Sequence, residues 1–80
     1  MPTREQRIHD LDATLRVGKN GVDAVADELA SQLDDNQFVK VKFLRAARGG
    51  TTSEELADDL ADHVGADVAQ VRGHTAVFAR

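Results

Sequence analysis

The chain carries the segment Leu15-Arg16-Val17-Gly18-Lys19-Asn20-Gly21-Val22, in which a short apolar run leads into a loop with a glycine at each end. The segment that follows has the apolar period of a helix. A loop of this kind before a helix exposes backbone N–H groups, and the aligned peptide dipoles attract anions there. Because neither glycine has a Cβ atom, a ligand can approach the backbone closely, and Lys19 adds a mobile cation. The segment favours a phosphate-binding loop, but Asn-Gly is also an ordinary turn pair.

Strand and helix signals precede this loop. Thr3 and Gln6 fit a capping box, which predicts a short helix that carries Ile8 and Leu11 on one face. Residues 13–17 then alternate between two kinds of side chain, as a strand does. One face of this predicted strand carries Ala13, Leu15 and Val17, and the other carries Thr14 and Arg16.

The segment after the loop predicts a helix and then a strand. Apolar side chains recur from Val22 to Leu33 at the spacing of one helical face, and the polar run at residues 34–36 ends the pattern. The strongest strand signal follows over Phe38–Leu44. One face of that strand carries Val39, Val41 and Phe43, and the other carries Lys40 and Lys42.

The second half of the chain begins with a basic, glycine-containing loop at residues 45–50. A second capping box at residues 52–55 starts another helix, and Gly65 is well placed to follow its last turn. Two short strands, over residues 67–72 and 75–80, are joined tightly at Gly73-His74.

In order, these elements predict one α/β domain over residues 1–80 with the sequence α-β-α-β-α-β-β. Helical crossovers between the early strands favour parallel pairing, and the last hairpin adds an antiparallel strand, so we expect a mixed four-stranded sheet. Each helix has one apolar face, which is buried most simply if the helices cover mainly one face of the sheet. Arg16, Lys40 and Lys42 then project from the other face, where Arg72 can join them.

Charge is segregated along the chain, although the net charge is only −4. Residues 22–35 carry five acidic residues and residues 51–67 carry six, with no lysine or arginine in either segment. Residues 36–50 carry four basic residues and no acidic one. The predicted helices are therefore acidic, and the basic residues on strands and loops can form a positive stripe on a negative molecule.

Composition narrows the class of protein. Eighty residues without cysteine must be stabilised by one small core, with no disulfide and no thiolate metal site. There is no apolar run of membrane-spanning length and no secretory signal, so we expect a soluble, cytoplasmic protein. Ten Asp against four Glu, and seven Arg against three Lys, suggest adaptation to high intracellular salt, as in halophilic archaea, while a GC-rich genome is the plainer explanation.

Three motifs, in this order and spacing, resemble those of the CRM domain family (chloroplast RNA splicing and ribosome maturation), also called YhbY-like. They are residues 15–22, the strand Phe38-Val39-Lys40-Val41-Lys42, and the hairpin that begins Val68-Ala69-Gln70-Val71-Arg72-Gly73 and includes Val77-Phe78. The resemblance implies a stand-alone RNA-binding domain with a fold like the C-terminal domain of translation initiation factor 3. It also implies a role in large-subunit ribosome assembly, as for bacterial relatives, or in group II intron splicing, as for plant relatives.

In that family the glycine loop and the nearby basic surface contact RNA. Transferred residue by residue, the resemblance implies RNA contacts from Gly18, Lys19, Asn20 and Gly21, supported by Lys40 and Lys42. Arg16 and Arg72 would extend the electropositive track. Arg45 and Arg48 are either a flexible arm that orders on RNA or part of a loop that only aids solubility, and Lys40 and Lys42 are equally compatible with a solvated sheet face.

Phe38, Phe43 and Phe78 are the only aromatic residues. Phe43 shares the face of Val39 and Val41, so we assign it to the core, together with Phe78. A platform for stacking bases is therefore poorly supported, and we expect recognition through backbone charge and shape.

Neither a catalytic nor a metal site is expected. His9, His63 and His74 invite such an interpretation, and Asp59 and His63 could share a helix face with a metal, but no third ligand has a suitable spacing. His63 is better explained by its favourable position near a helix C-terminus. We also expect no cofactor.

These observations predict a non-catalytic, monomeric protein that binds ribosomal RNA or a pre-ribosomal particle, with no membrane or small-molecule partner. Two other functions remain open at this point. One is a protein-interaction module that docks on a ribosome or translation factor through its acidic helices, and the other is an RNA splicing cofactor.

Overall fold

The computed structural model of the protein describes residues 11–80. Its elements are β1 (Ala13–Val17), α1 (Asp23–Asp35), β2 (Phe38–Phe43), α2 (Ser53–Val64), β3 (Asp67–Arg72) and β4 (Thr75–Ala79). The order predicted for these elements is confirmed, and their bounds agree with the predicted ones to within about two residues. The helix predicted from Thr3 and Gln6 lies outside the described residues.

The four strands form one mixed sheet in the order β1-β2-β4-β3. β1 and β2 are parallel, because α1 carries the chain back between them, and the other two pairs are antiparallel. β4 is the last strand in sequence and lies between β2 and β3. The predicted fold class is therefore confirmed.

The described helices cover one face of this sheet, as predicted. Leu29 and Leu33 of α1 and Leu60 of α2 are buried in the same cluster as the inward-facing side chains of the strands. The strand members of that cluster are Val17, Val39, Val41, Phe43, Ala76 and Phe78. The assignment of Phe43 and Phe78 to the core is confirmed.

The register of β1 is irregular at its beginning. Arg16 pairs with Lys42 and Val17 with Phe43, but the pairing shifts between Ala13 and Leu15. Thr14 lies at this shift, and its hydroxyl donates a 2.5 Å hydrogen bond to Oε1 of Gln32 on α1. Ala13 pairs with Lys40 of the outer face, whereas Leu15 pairs with Val41 of the inner face. The prediction that Ala13 shares a face with Leu15 and Val17 is therefore wrong, because strict alternation does not hold across a register shift.

The outer face of the sheet, opposite the helices, has an apolar end and a polar end. Phe38 and Val77 are only 8% and 2% exposed there. They form a second cluster with the partly buried side chains of Leu11, Ala69 and Ala79. The polar end lies toward the C-terminus of β2, where Lys42 is exposed.

The two helices begin differently. The Thr52 hydroxyl accepts a 3.2 Å hydrogen bond from the backbone N–H of Glu55, so α2 has the predicted side-chain cap. Gly65 ends α2 in the left-handed conformation, at φ 67°, as expected for a residue that follows the last turn. α1 begins after Val22, which makes no side-chain cap hydrogen bond.

Within residues 11–80, no helix has both the length and the apolar character needed to cross a bilayer.

Candidate nucleic-acid interface

The glycine loop (Gly18–Gly21) is a tight turn between β1 and α1. The backbone N–H of Gly21 donates a 3.0 Å hydrogen bond to the carbonyl oxygen of Gly18. Gly21 has φ 81°, a conformation that residues with a Cβ atom rarely adopt. Lys19 and Asn20 form the exposed tip of the turn. The loop is therefore a preformed structure that presents its lysine to solvent.

The N-terminus of α1 follows this turn directly. Val22 is buried and apolar, so its side chain offers no oxygen to the first helical turn, although its backbone carbonyl accepts a 3.1 Å hydrogen bond from the N–H of Val25. The partial positive charge of the helix N-terminus therefore lies beside Lys19 without a side-chain acceptor from the capping position.

One acidic side chain lies close to this helix end. Asp23 is the first residue of α1, and its Oδ1 lies 2.8 Å from Nε2 of His63, near the C-terminus of α2. Asp59 lies 3.8 Å from the same nitrogen. Both carboxylates are well exposed. The contact ties the C-terminal turn of α2 to the N-terminal turn of α1.

The basic loop after β2 lies beside the glycine loop. β1 and β2 are parallel, so both loops leave the same edge of the sheet. The backbone N–H of Leu44 donates a 2.8 Å hydrogen bond to the carbonyl of Val17, which extends the ladder to the start of both loops. The loops from Gly18 and from Leu44 therefore form one rim.

The loop that carries Arg45 and Arg48 is folded into successive turns. Its backbone hydrogen bonds run from Ala47 to Leu44, from Arg48 to Arg45 and from Thr51 to Arg48. The side-chain Nε of Arg48 donates a 3.2 Å hydrogen bond to the carbonyl of Phe43 and is partly buried. Arg45 is exposed. Arg48 thus holds the loop against the end of β2, while Arg45 is directed to solvent.

The remaining predicted cations lie on the outer face of the sheet. Arg16 pairs with Lys42, Lys42 pairs with Thr75, and Thr75 pairs with Arg72. These four residues, which we call the basic row, therefore cross all four strands at one level. Lys40 lies two residues before Lys42 on β2, is half-buried and pairs with Val77.

The acidic side chains are concentrated on the other side of the molecule. Each described helix carries five Asp or Glu residues and no Lys or Arg. All ten are exposed. The helices cover the inner face of the sheet, so the acidic layer and the basic row lie on opposite sides of the domain.

Two features of this surface were missed in the sequence. Thr75 belongs to the basic row, and only the pairing of β4 between β2 and β3 reveals it. Leu44 is the one large apolar side chain in the described residues that is exposed, at 36%. A Cβ atom added at Gly18 would lie 3.8 Å from its Cδ1. The sequence does contain a signal for Leu44. Continuing the alternation of β2 by one residue places this apolar side chain on the same face as Lys40 and Lys42.

In the part of the chain that the structure describes, no group of three or more His, Cys, Asp or Glu side chains is arranged to hold a metal ion. His63, Asp23 and Asp59 instead form the contact between the two helices described above.

Comparison with known proteins identifies relatives over nearly the whole chain. The model of the CRS1/YhbY (CRM) domain matches residues 3–80. The chain is 34% identical over 74 residues to the probable RNA-binding protein MJ0652 of Methanocaldococcus jannaschii. That match covers 92% of this chain but only 55% of the relative, so the chain spans about half the length of that protein.

A solved structure has the same fold. It is the solution structure of the hypothetical protein SAV1595 of Staphylococcus aureus, which is proposed to bind RNA. The TM-score is 0.72 and the sequence identity 21%, and the match covers 95% of this chain and 78% of the other.

Proposed function

Because the chain belongs to the CRS1/YhbY (CRM) domain family, we propose that it binds RNA and that the glycine loop holds the RNA backbone. The relative in Methanocaldococcus jannaschii is named a probable RNA-binding protein, and the Staphylococcus aureus protein is proposed to bind RNA. These likenesses support RNA as the class of ligand.

One observation carries the role of the loop: a tight glycine turn leads into a helix whose N-terminus lacks a side-chain cap. The first-turn N–H groups of an α-helix have no partner within the helix. α2 satisfies one of its own with the Thr52 hydroxyl, whereas in α1 the N–H of Val25 donates to the backbone carbonyl of Val22 and no capping side chain offers a further acceptor. A phosphate oxygen is a suitable acceptor at such a position.

The mechanism that we propose is capture of the RNA backbone. A phosphate lies over the glycine loop, accepts from the amides at the start of α1, and is contacted by the Lys19 ammonium. Arg45 on the neighbouring loop lies on the same rim and can contact an adjacent phosphate. The acidic helices repel RNA from the other side of the domain, which favours one orientation of binding.

We further propose that the RNA is ribosomal and that the protein acts without catalysis, as a cytoplasmic monomer, in assembly of the large ribosomal subunit. The family resemblance of the three sequence motifs supports this choice. Sequencing of RNA crosslinked to the protein in cells tests it, with large-subunit precursor RNA as the expected product. Enrichment of intron-bearing transcripts would favour a splicing cofactor, and a lack of crosslinked RNA would favour a protein-interaction module.

The substitution Lys19→Ala tests the role of the loop. Each phosphate contact contributes about 0.7 to the slope of log affinity against log salt for single-stranded RNA. If the variant and the unmodified protein bind equally at 1 M KCl, loss of one contact is therefore expected to make the variant bind about fivefold more weakly at 0.1 M KCl. Fluorescence anisotropy with labelled RNA at several KCl concentrations measures both the dissociation constant and the slope.

Arg80→Ala is the matched control. It changes the net charge by the same amount, but Arg80 lies away from the loop and forms an exposed ion pair with Asp34. We expect RNA affinity within twofold of the unmodified protein. Equal affinities for the Lys19→Ala and Arg80→Ala variants would show that the loop lysine makes no phosphate contact.

A further inference from the structure

We propose that the basic row is a second RNA-binding element, which holds the phosphates of a strand that continues beyond the glycine loop. This inference rests on the proposed function, and it adds a path for the RNA across the outer face of the sheet. The part of the RNA that the basic row binds is the phosphate backbone. The row does not bind the bases.

Strand pairing sets the geometry of this path. The basic row crosses β1, β2, β4 and β3 in that order, at right angles to the strands. Neighbouring strands lie about 4.8 Å apart, so the row from Arg16 to Arg72 spans roughly 14 Å. Arg16 and Lys42 are directly paired at one end, and Arg72 is the cation at the other end.

The row begins at the glycine loop. Arg16 precedes Gly18 by only two residues, and Lys42 precedes the basic loop in the same way. A strand held at the loop therefore meets Arg16 and Lys42 first and Arg72 last. Only an RNA longer than the segment held by the loop can reach Arg72.

The charge around the row is favourable to an anion. None of its four members is acidic, and Lys40 adds a further cation on the same face of β2. The acidic residues of α1 and α2 lie on the helical side of the sheet. The Thr75 hydroxyl donates a 2.9 Å hydrogen bond to the carbonyl of Arg72, which stabilises the connection between the last two members of the row.

The chemistry of the row selects backbone over bases. It contains no aromatic side chain, and Phe43 and Phe78 are fully buried on the opposite face of the sheet. Without a stacking surface, single-stranded RNA is held by charge, which depends little on base sequence. The row therefore adds affinity for RNA and sets the direction in which the RNA crosses the sheet, with little preference for base sequence.

Ligand length provides the test. We would titrate the full chain with oligouridines of four and twelve nucleotides at 0.1 M KCl and measure the dissociation constants from NMR chemical shifts, which also report millimolar binding. A glycine loop of the KH type clamps about four nucleotides. Arg72→Gln is expected to leave the affinity for the short RNA unchanged and to weaken binding of the long RNA about fivefold.

Two variants complete the experiment. Arg72→Lys keeps the charge and is expected to bind the long RNA within twofold of the unmodified protein, which separates charge from any structural effect of the arginine. Arg80→Gln removes a cation away from the row and is expected to leave both affinities unchanged. The NMR spectra of all variants report whether the fold is intact.

The outcomes separate the two proposals. If Arg72→Gln binds the long RNA as tightly as the unmodified protein, or weakens both RNAs equally, the second element is excluded. The glycine-loop proposal survives either result provided that Lys19→Ala still weakens binding. If the unmodified protein binds neither RNA, both proposals are wrong.

Discussion

Gly21 connects the glycine loop to α1 through a backbone conformation at φ 81°. For a residue with a Cβ atom, left-handed conformations cost about 1–2 kcal/mol. A Cβ added at Gly21 would meet no heavy atom within 4 Å, so the conformation is the only obstacle to substitution. The position of the loop on the helix therefore depends on this one glycine.

We predict that Gly21→Ala lowers the free energy of unfolding by about 1–2 kcal/mol, measured by urea denaturation. Gly49→Ala is the matched control, because a Cβ there also meets open space and the backbone of Gly49 is not in the left-handed region. It is expected to leave stability unchanged or raise it by up to about 1 kcal/mol. Equal effects of the two substitutions would refute the assigned strain.

For single residues, the sequence predicted which cations share a face of the sheet wherever inward-facing and outward-facing side chains alternate regularly along a strand. Lys40 and Lys42 lie on the outer face as expected, because β2 is paired without a shift to β4. Ala13 could not be assigned correctly, since a register shift in β1 depends on the partner strand and leaves no local pattern.

Elements were predicted best where one residue type forces a boundary. Thr52 begins α2 because its hydroxyl can cap the helix, and Gly65 ends it because it tolerates φ 67°. Both signals are local, so they survive without knowledge of the fold. The amphipathic period of α1 likewise predicted the buried residues Leu29 and Leu33.

The basic loop after β2 was less accessible to prediction. Its glycines and arginines suggested either a flexible arm that orders on RNA or a loop that only aids solubility. In the structure it forms successive turns, and Arg48 donates to the carbonyl of Phe43. That carbonyl lies at the end of a strand, and its availability as an acceptor follows from the sheet. Whether Arg45 and Arg48 contact RNA remains a prediction.

For the whole molecule, the dominant electrostatic feature is the separation of an acidic helical layer from a basic sheet face. Ten exposed carboxylates on two helices repel one another, and no lysine or arginine lies between them on the same helices. Self-repulsion of this kind destabilises a compact state, and salt screens it within a Debye length of about 10 Å at 0.1 M.

We predict that the melting temperature rises as KCl is increased from dilute to molar concentrations, because screening relieves repulsion within the acidic layer. Circular dichroism at a series of KCl concentrations measures this. A melting temperature that falls over that range would contradict both the repulsion argument and the hypothesis of adaptation to high salt.

Fold class and order of elements could be predicted for the described residues, but the strand order could not. The predicted pattern required a mixed sheet, yet it was equally consistent with several positions for the final hairpin. Only the insertion of β4 between β2 and β3 aligns Lys42, Thr75 and Arg72. The basic row is thus a property of tertiary pairing, and residue spacing alone does not contain it.

The central place of β4 also affects how the protein is made. While a ribosome is still translating residues 75–79, β2 and β3 have no strand between them, and the hydrophobic core lacks Ala76 and Phe78. A nascent chain that stops short of these residues exposes two unpaired strand edges, which are prone to aggregation. Folding of this domain must therefore wait until its last strand has been synthesised and released from the exit tunnel.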